Sequence, residues 1–117
     1  MNQKPHNYPL EGRTEVFAQK IIKFCRSLKQ DSISRPIINQ LIRAGTSIGA
    51  NYMEANNASS RKDFRNKIYI CKKEAQETKY WLTMAREISD TEPTVLLSQE
   101  AQELTMIFQK IVSTIDK

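Results

Sequence analysis

From residue 12 onward, apolar positions recur with a helical period in four separate runs. Phe17, Ile21, Phe24 and Leu28 fall at spacings of 4, 3 and 4, which sets them on one face of a helix. The pattern predicts a first helix over about 12–29 and a polar connection over 30–34. Pro36 suits the first turn of a second helix, where its missing N–H costs nothing, and Ser34 is the expected N-cap. Ile38, Leu41, Gly45, Ile48, Tyr52 and Ala55 then repeat every 3 or 4 residues. The polar run 56–60 ends that segment. Ser60 with Asp63 forms a capping box in which Asp replaces Glu. It opens a third helix with the clearest seam: Phe64, Ile68, Cys71, Ala75, Thr78, Leu82 and Ala85. Residues 90–93 read as a stop and a new start, and Leu97, Ala101, Leu104, Phe108, Ile111 and Ile115 line a fourth helix.

Heptad-patterned segments with short connections place consecutive helices side by side and antiparallel. The expected fold class is therefore all-α, an antiparallel up-down-up-down four-helix bundle with shallow crossings. Pro5 and Pro9 oppose helix, so residues 1–11 are expected to form a flexible N-terminal arm and residues 12–117 the bundle domain.

Composition agrees. The 117 residues suffice for one domain. Three glycines and four prolines are too few for a turn-rich β-sandwich or barrel. A mean hydropathy of −0.57 suits amphipathic helices with wet outer faces. Cys25 and Cys71 form no C-x-x-C pair and fit buried free thiols in a cytosolic protein. No apolar run approaches the roughly 20 residues that span a bilayer, and the N-terminus has no signal-like apolar core. The expectation is a cytoplasmic protein with no membrane partner.

Charge adds an asymmetry. The chain carries +5, but residues 1–86 carry +9 and residues 87–117 carry −4. On the third helix, with the seam at heptad positions a and d, Arg65, Lys72, Lys79 and Arg86 all fall at e. Such a row could track a nucleic-acid backbone. The competing explanation is pairing with acids of the fourth helix, namely Glu92, Glu100 and Glu103. Arg61 and Arg43 extend the set of candidate phosphate contacts. Beyond the seam, Ile70, Trp81, Met84 and Ile88 form a second apolar stripe. It implies either a wide core face or a subunit interface, and the interface is the expected use.

Two glycines sit inside the second helix, Gly45 and Gly49. Each costs about 1 kcal/mol relative to alanine, so close helix packing or a close-approach ligand must offset them. Catalytic machinery is hard to assemble. The only histidine, His6, lies in the arm, so no Ser-His-Asp or Cys-His set can form. A carboxylate metal site built from Glu54, Glu74 and Glu77 would lack the Glu-x-x-His motifs such bundles use. No catalytic residue, metal or cofactor is assigned.

Several of these residues carry a resemblance. Arg43-Ala44-Gly45-Thr46-Ser47-Ile48-Gly49-Ala50-Asn51, Glu54-Ala55, Asp63-Phe64, Lys73-Glu74-Ala75 and Glu77-Thr78 followed by Trp81-Leu82 resemble the bacterial 23S rRNA-intervening sequence proteins. The resemblance spans about residues 13–115. It implies an antiparallel four-helix bundle assembling as a homopentamer. The chain is also similar to the accessory proteins of diversity-generating retroelements, basic pentameric barrels that bind nucleic acid and a reverse transcriptase. The leading expectation is a non-enzymatic oligomer associated with RNA or DNA through Arg61, Arg65, Lys72, Lys79 and Arg86, with Arg43 second. A protein-interaction scaffold with a protein partner and no nucleic-acid binding is the alternative. A carboxylate metal-binding bundle is the remote one.

Overall fold

The computed structural model describes residues 9–116, which fold into α1 (Pro9–Ser27), α2 (Ser34–Asn56), α3 (Arg61–Ala85) and α4 (Glu92–Ile115). They run up, down, up and down, each packed on the next, and no strand occurs among the described residues. Residues 1–8 of the expected arm lie outside the described residues.

The helix α1 begins three residues before the expected Gly12. Pro9 opens it instead of opposing it, because the first turn needs neither proline's missing N–H nor a free φ. Leu10 packs on the core and Thr14 is buried, so the apolar face extends one turn further back than Phe17 suggested. Its far end also differs, with the helix stopping at Ser27 and Leu28 tucked under it.

Ser34 is the first residue of α2, not its N-cap. Asp31 does the capping: its Oδ1 accepts from the N–H groups of Ile33 (2.9 Å) and Ser34 (2.8 Å). Those backbone bonds, that from Ser34 foremost, hold the Asp31 carboxyl below its ordinary pKa. The Ser34 hydroxyl is folded inward and donates to the Lys29 carbonyl at 2.6 Å. At α3 the box forms as expected on one side, with Ser60 Oγ accepting from the Asp63 N–H at 3.0 Å. The return bond reaches the Ser59 N–H, one residue short of a reciprocal pair.

The expected seams fill the core. Phe17, Ile21, Leu41, Ile48, Ile68, Leu82, Leu104 and Phe108 are fully buried. On α4 the buried line turns at its end from Ile111 and Ile115, which are half-buried, to Val112. Cys25 and Cys71 are free and buried; loss of solvation pushes their thiols up to about 11 and about 12.

The glycines of α2 serve packing against α1. A Cβ on Gly45 would lie 2.9 Å from Cγ1 and 3.0 Å from Cγ2 of Ile21. Ile21 is β-branched, stiff and fully buried, so it has no free rotamer to yield. A Cβ on Gly49 would lie nearest Thr14, at 3.2 Å from its hydroxyl.

The two positions therefore separate on substitution. Gly45→Ala adds helix propensity worth about 1 kcal/mol but overpacks Ile21, which typically costs about 1–3 kcal/mol. Denaturant unfolding is expected to show a net loss near 1 kcal/mol. Gly49→Ala is expected to stay within about 0.5 kcal/mol of the parent, since its contact with Thr14 at 3.2 Å is milder than that of Gly45 with Ile21 at 2.9 Å and the propensity gain offsets it. The raised thiol pKa values give a second expectation. At pH 8 both cysteines stay protonated, and a thiol reagent labels them only as fast as the bundle opens; rapid labelling of the native protein would contradict the packing described.

Candidate nucleic-acid interface

Heptad spacing places Arg65, Lys72, Lys79 and Arg86 on the edge of α3 that borders α4. At 1.5 Å per residue, successive members stand about 10.5 Å apart and the row runs about 32 Å. Arg65 is committed locally. Its guanidinium grips both carboxylate oxygens of Asp116, at 2.5 and 3.2 Å, and its Cζ lies 4.8 Å from the centre of the Tyr69 ring. Asp116 raises the Arg65 pKa, and Arg65 lowers that of Asp116. Lys72 approaches the same ring, with Nζ at 5.9 Å. Lys79 donates to Gln102 Oε1 at 2.7 Å. Arg86 pairs with Asp90, one turn on along the chain and exposed. Arg61 donates to the Ile115 carbonyl at 3.0 Å, helping to satisfy the C-terminal turn of α4.

Two of the three acids expected to neutralise this row, Glu100 and Glu103, point elsewhere. Arg13 of α1 takes Glu100 in a fork, at 2.7 and 2.8 Å, and Glu103 at 2.6 Å. These bonds raise the Arg13 pKa, with Glu100 the largest cause. The reason is register: Gln102, not a glutamate, occupies the α4 position opposite Lys79. Lys72 and Lys79 have no carboxylate partner among the described residues. Lys79 and Arg86, with Val95, Ser98, Gln99 and Gln102, line a hollow of about 230 Å³ that contains no carboxylate.

Arg43 does not join them. It lies on the α2–α3 side, where Glu74 (3.2 Å) and Glu77 hold its guanidinium. Partial burial lowers its pKa, but the two carboxylates reverse this and leave it raised. Glu77 also accepts from the Trp81 indole N–H at 3.3 Å. Glu74 and Glu77 thus serve Arg43 and Trp81, while Glu54 is exposed. Among the described residues no group of three His, Cys, Asp or Glu is placed to hold a metal.

The second stripe is only partly open. Ile70 is 37% exposed, whereas Trp81, Met84 and Ile88 are half-buried and Trp81 packs on the core. A larger apolar surface was missed. The α1–α4 seam is the loosest in the bundle and leaves a groove of about 1070 Å³. Val16 (45% exposed) and Leu96 (55%) flank it. The doublets Val16-Phe17 and Leu96-Leu97 carried the signal, because a single stripe needs only the second residue of each.

The fold and motifs coincide with a known group. The model of the 23S rRNA-intervening sequence proteins matches residues 12–113. The chain belongs to that family. A solved structure supports the assignment: a protein of unknown function from the S23 ribosomal protein family of Bacteroides thetaiotaomicron VPI-5482. It shares 33% identity, spans 87% of this chain and 96% of its own, and superposes with a TM-score of 0.79. A comparison with curated proteins finds no match. In this member of the 23S rRNA-intervening sequence family, no helix among the described residues is long and apolar enough to cross a membrane.

The Arg13 clip is the polar tie across the open seam. Arg13→Ala is expected to destabilise by about 1 kcal/mol, the upper end for partly exposed pairs because the geometry is forked. Unfolding in 1 M salt should show a smaller difference; an undiminished one would mean that packing, not charge, is what Arg13 supplies.

Proposed function

We propose that this protein is a non-enzymatic homo-oligomer that associates with RNA or DNA through the α3–α4 edge. One observation carries the reading: Glu100 and Glu103 are engaged by Arg13, and Lys79, on Gln102 of α4, and Lys72, beside Tyr69, carry no counter-charge among the described residues. Unneutralised cations in a row are what release counterions from a phosphate backbone. Lys72, Lys79 and Arg86 are the contact residues. Arg65, paired with Asp116, and Arg61, on the Ile115 carbonyl, fix the ends of the two helices. Arg43 belongs to the opposite side and has a structural role. The ribosomal designation of the neighbouring solved protein's family is in keeping with an RNA-associated role.

Assembly strengthens the same reading. The exposed Val16, Leu96, Ile70 and Tyr80 offer apolar surface for contact between copies, and the family resemblance favours a pentamer. Five chains of +5 would total about +25, so weak contacts would add by avidity. The free, buried Cys25 and Cys71 suit the reducing cytoplasm. A protein-binding scaffold is the second reading, favoured by the apolar α1–α4 groove.

A salt-titrated binding assay on mixed RNA and DNA tests the proposal. Binding at 50 mM salt should weaken steadily as salt rises. The double variant Lys72→Gln/Lys79→Gln should weaken it at least tenfold, while Arg43→Gln should leave affinity unchanged and lower stability. Absence of binding at low salt would remove nucleic acid from the proposal. Light scattering tests the assembly, and a mass of 13.5 kDa would contradict it.

A further inference from the structure

We infer that the α1–α4 groove of one copy receives the α2–α3 face of the next, so that copies join head to tail with their bundles parallel; this rests on the oligomer reading above. The first reason is shape. Each helix packs only on its two neighbours around the bundle, which sets the α1–α4 and α2–α3 seams on opposite faces. The α1–α4 seam is the loosest, and Phe17, Phe24 and Leu97 line its groove. The α2–α3 seam is the most closely packed, and Ile70, 37% exposed, lies along it with the half-buried Trp81 and Met84. A hollow face and a filled face on opposite sides of one molecule suit a heterologous contact, not a two-fold one.

The second reason is register. Ile21 lies level with Gly45, and Thr14 with Gly49. Cys71 lies level with Ile48, and Glu74 and Glu77 bracket Arg43. Carried across α2 at equal rise per residue, these contacts set Val16 about level with Ile70, Lys20 with Glu74, Lys23 with Glu77 and Ser27 with Trp81. The groove edge of α1 thus reads apolar, cation, cation, hydroxyl at the same spacing of 4, 3 and 4 at which α3 reads apolar, acid, acid, indole. Lys20 and Lys23 have no carboxylate partner among the described residues. On the other face one guanidinium, that of Arg43, serves both Glu74 and Glu77, which leaves that cluster net negative, with Glu77 the more open of the two acids. On α4, the pairs Lys79–Gln102 and Arg65–Asp116 set Leu96, 55% exposed, about level with Met84 and Ile88. A copy set beside the first without axial shift therefore brings Ile70 to Val16, Glu77 to Lys23 and Met84 to Leu96. Charge complementarity of this kind fixes register and suppresses other pairings. The α3–α4 edge belongs to neither face, so every copy keeps Lys72, Lys79 and Arg86 uncovered.

The test is site-directed cross-linking of the intact chain. The double variant Val16→Cys/Ile70→Cys and each single variant are treated with a short bismaleimide and resolved under denaturing conditions. Cys25 and Cys71 are buried and do not compete. Within one chain the two new thiols lie on opposite faces, beyond the reach of the linker. The double variant is expected to give linked dimers and a ladder of higher species, and the single variants none. The charge reversal Lys20→Glu/Lys23→Glu, at exposed positions, is expected to weaken association at least tenfold by light scattering while leaving the helical circular dichroism signal unchanged. An oligomeric mass without V16C–I70C linkage, a single variant that links to itself, or association untouched by the charge reversal would overturn this inference and leave the oligomer standing. A mass of 13.5 kDa for the parent chain at every concentration would overturn both.

Discussion

The contact between Ile21 and the bare backbone at Gly45 sets the position of α1, and much else follows from it. Because Gly45 has no Cβ, Ile21 can enter the α2 surface to within contact of the helix itself. Thr14 does the same at Gly49 one turn away. The α1 helix thus has its buried face turned toward α2, and α4 has its own turned toward α3. The seam between α1 and α4 is left without deep interdigitation, and a groove persists there. A bundle with four equal seams would need α1 to face both neighbours alike, and Ile21 against Gly45 breaks that symmetry.

The open seam explains the electrostatics. With little apolar contact joining α1 to α4, Arg13 reaches across and gathers Glu100 and Glu103. Those two carboxylates leave the α3 border to Gln102 and Ser98. The chain's acidic last segment therefore gives two carboxylates to Arg13 of α1 and one each to Arg65 and Arg86 at the ends of the row, leaving the middle of the row without one. Charge balance over the whole molecule and charge balance along one edge are different quantities, and it is the edge that a polyanion would meet.

Most of the fold was legible in the sequence. The seams from Phe17 to Leu28, Ile38 to Ala55 and Ile68 to Ala85 are dense in apolar residues, and period alone places them. Errors fell where one residue has two uses. Pro9 is a breaker inside a helix and a good first residue, and only the burial of Leu10 and Thr14 decides between them. Ser34 is a cap by type, yet Asp31 lies where the loop brings its carboxylate onto the free N–H groups. The site was less legible. The heptad identified the row Arg65, Lys72, Lys79 and Arg86 as one edge. It could not say which acid on α4 faces which cation, since that depends on the rotation of α4 about its own axis. One position of rotation separates Gln102 from Glu103.

That rotation also bears on what kind of surface the edge is. An interhelical row of fixed ion pairs would be rigid and electrically quiet, because each cation would be held by a carboxylate at short range. Lys79 is held instead by a neutral amide, which orients the ammonium without cancelling its charge. Arg65 at one end is locked by Asp116 and Tyr69, and Arg86 at the other is tethered only loosely to Asp90. The edge is therefore graded, from a structural end near the α4 terminus to an available end near the α3–α4 turn. A polyanion would gain most from the middle and the open end. At the middle, where Lys72 and Lys79 hold no carboxylate among the described residues, ions are exchanged rather than an existing pair broken, so displaced counterions and not desolvated carboxylates set the free energy.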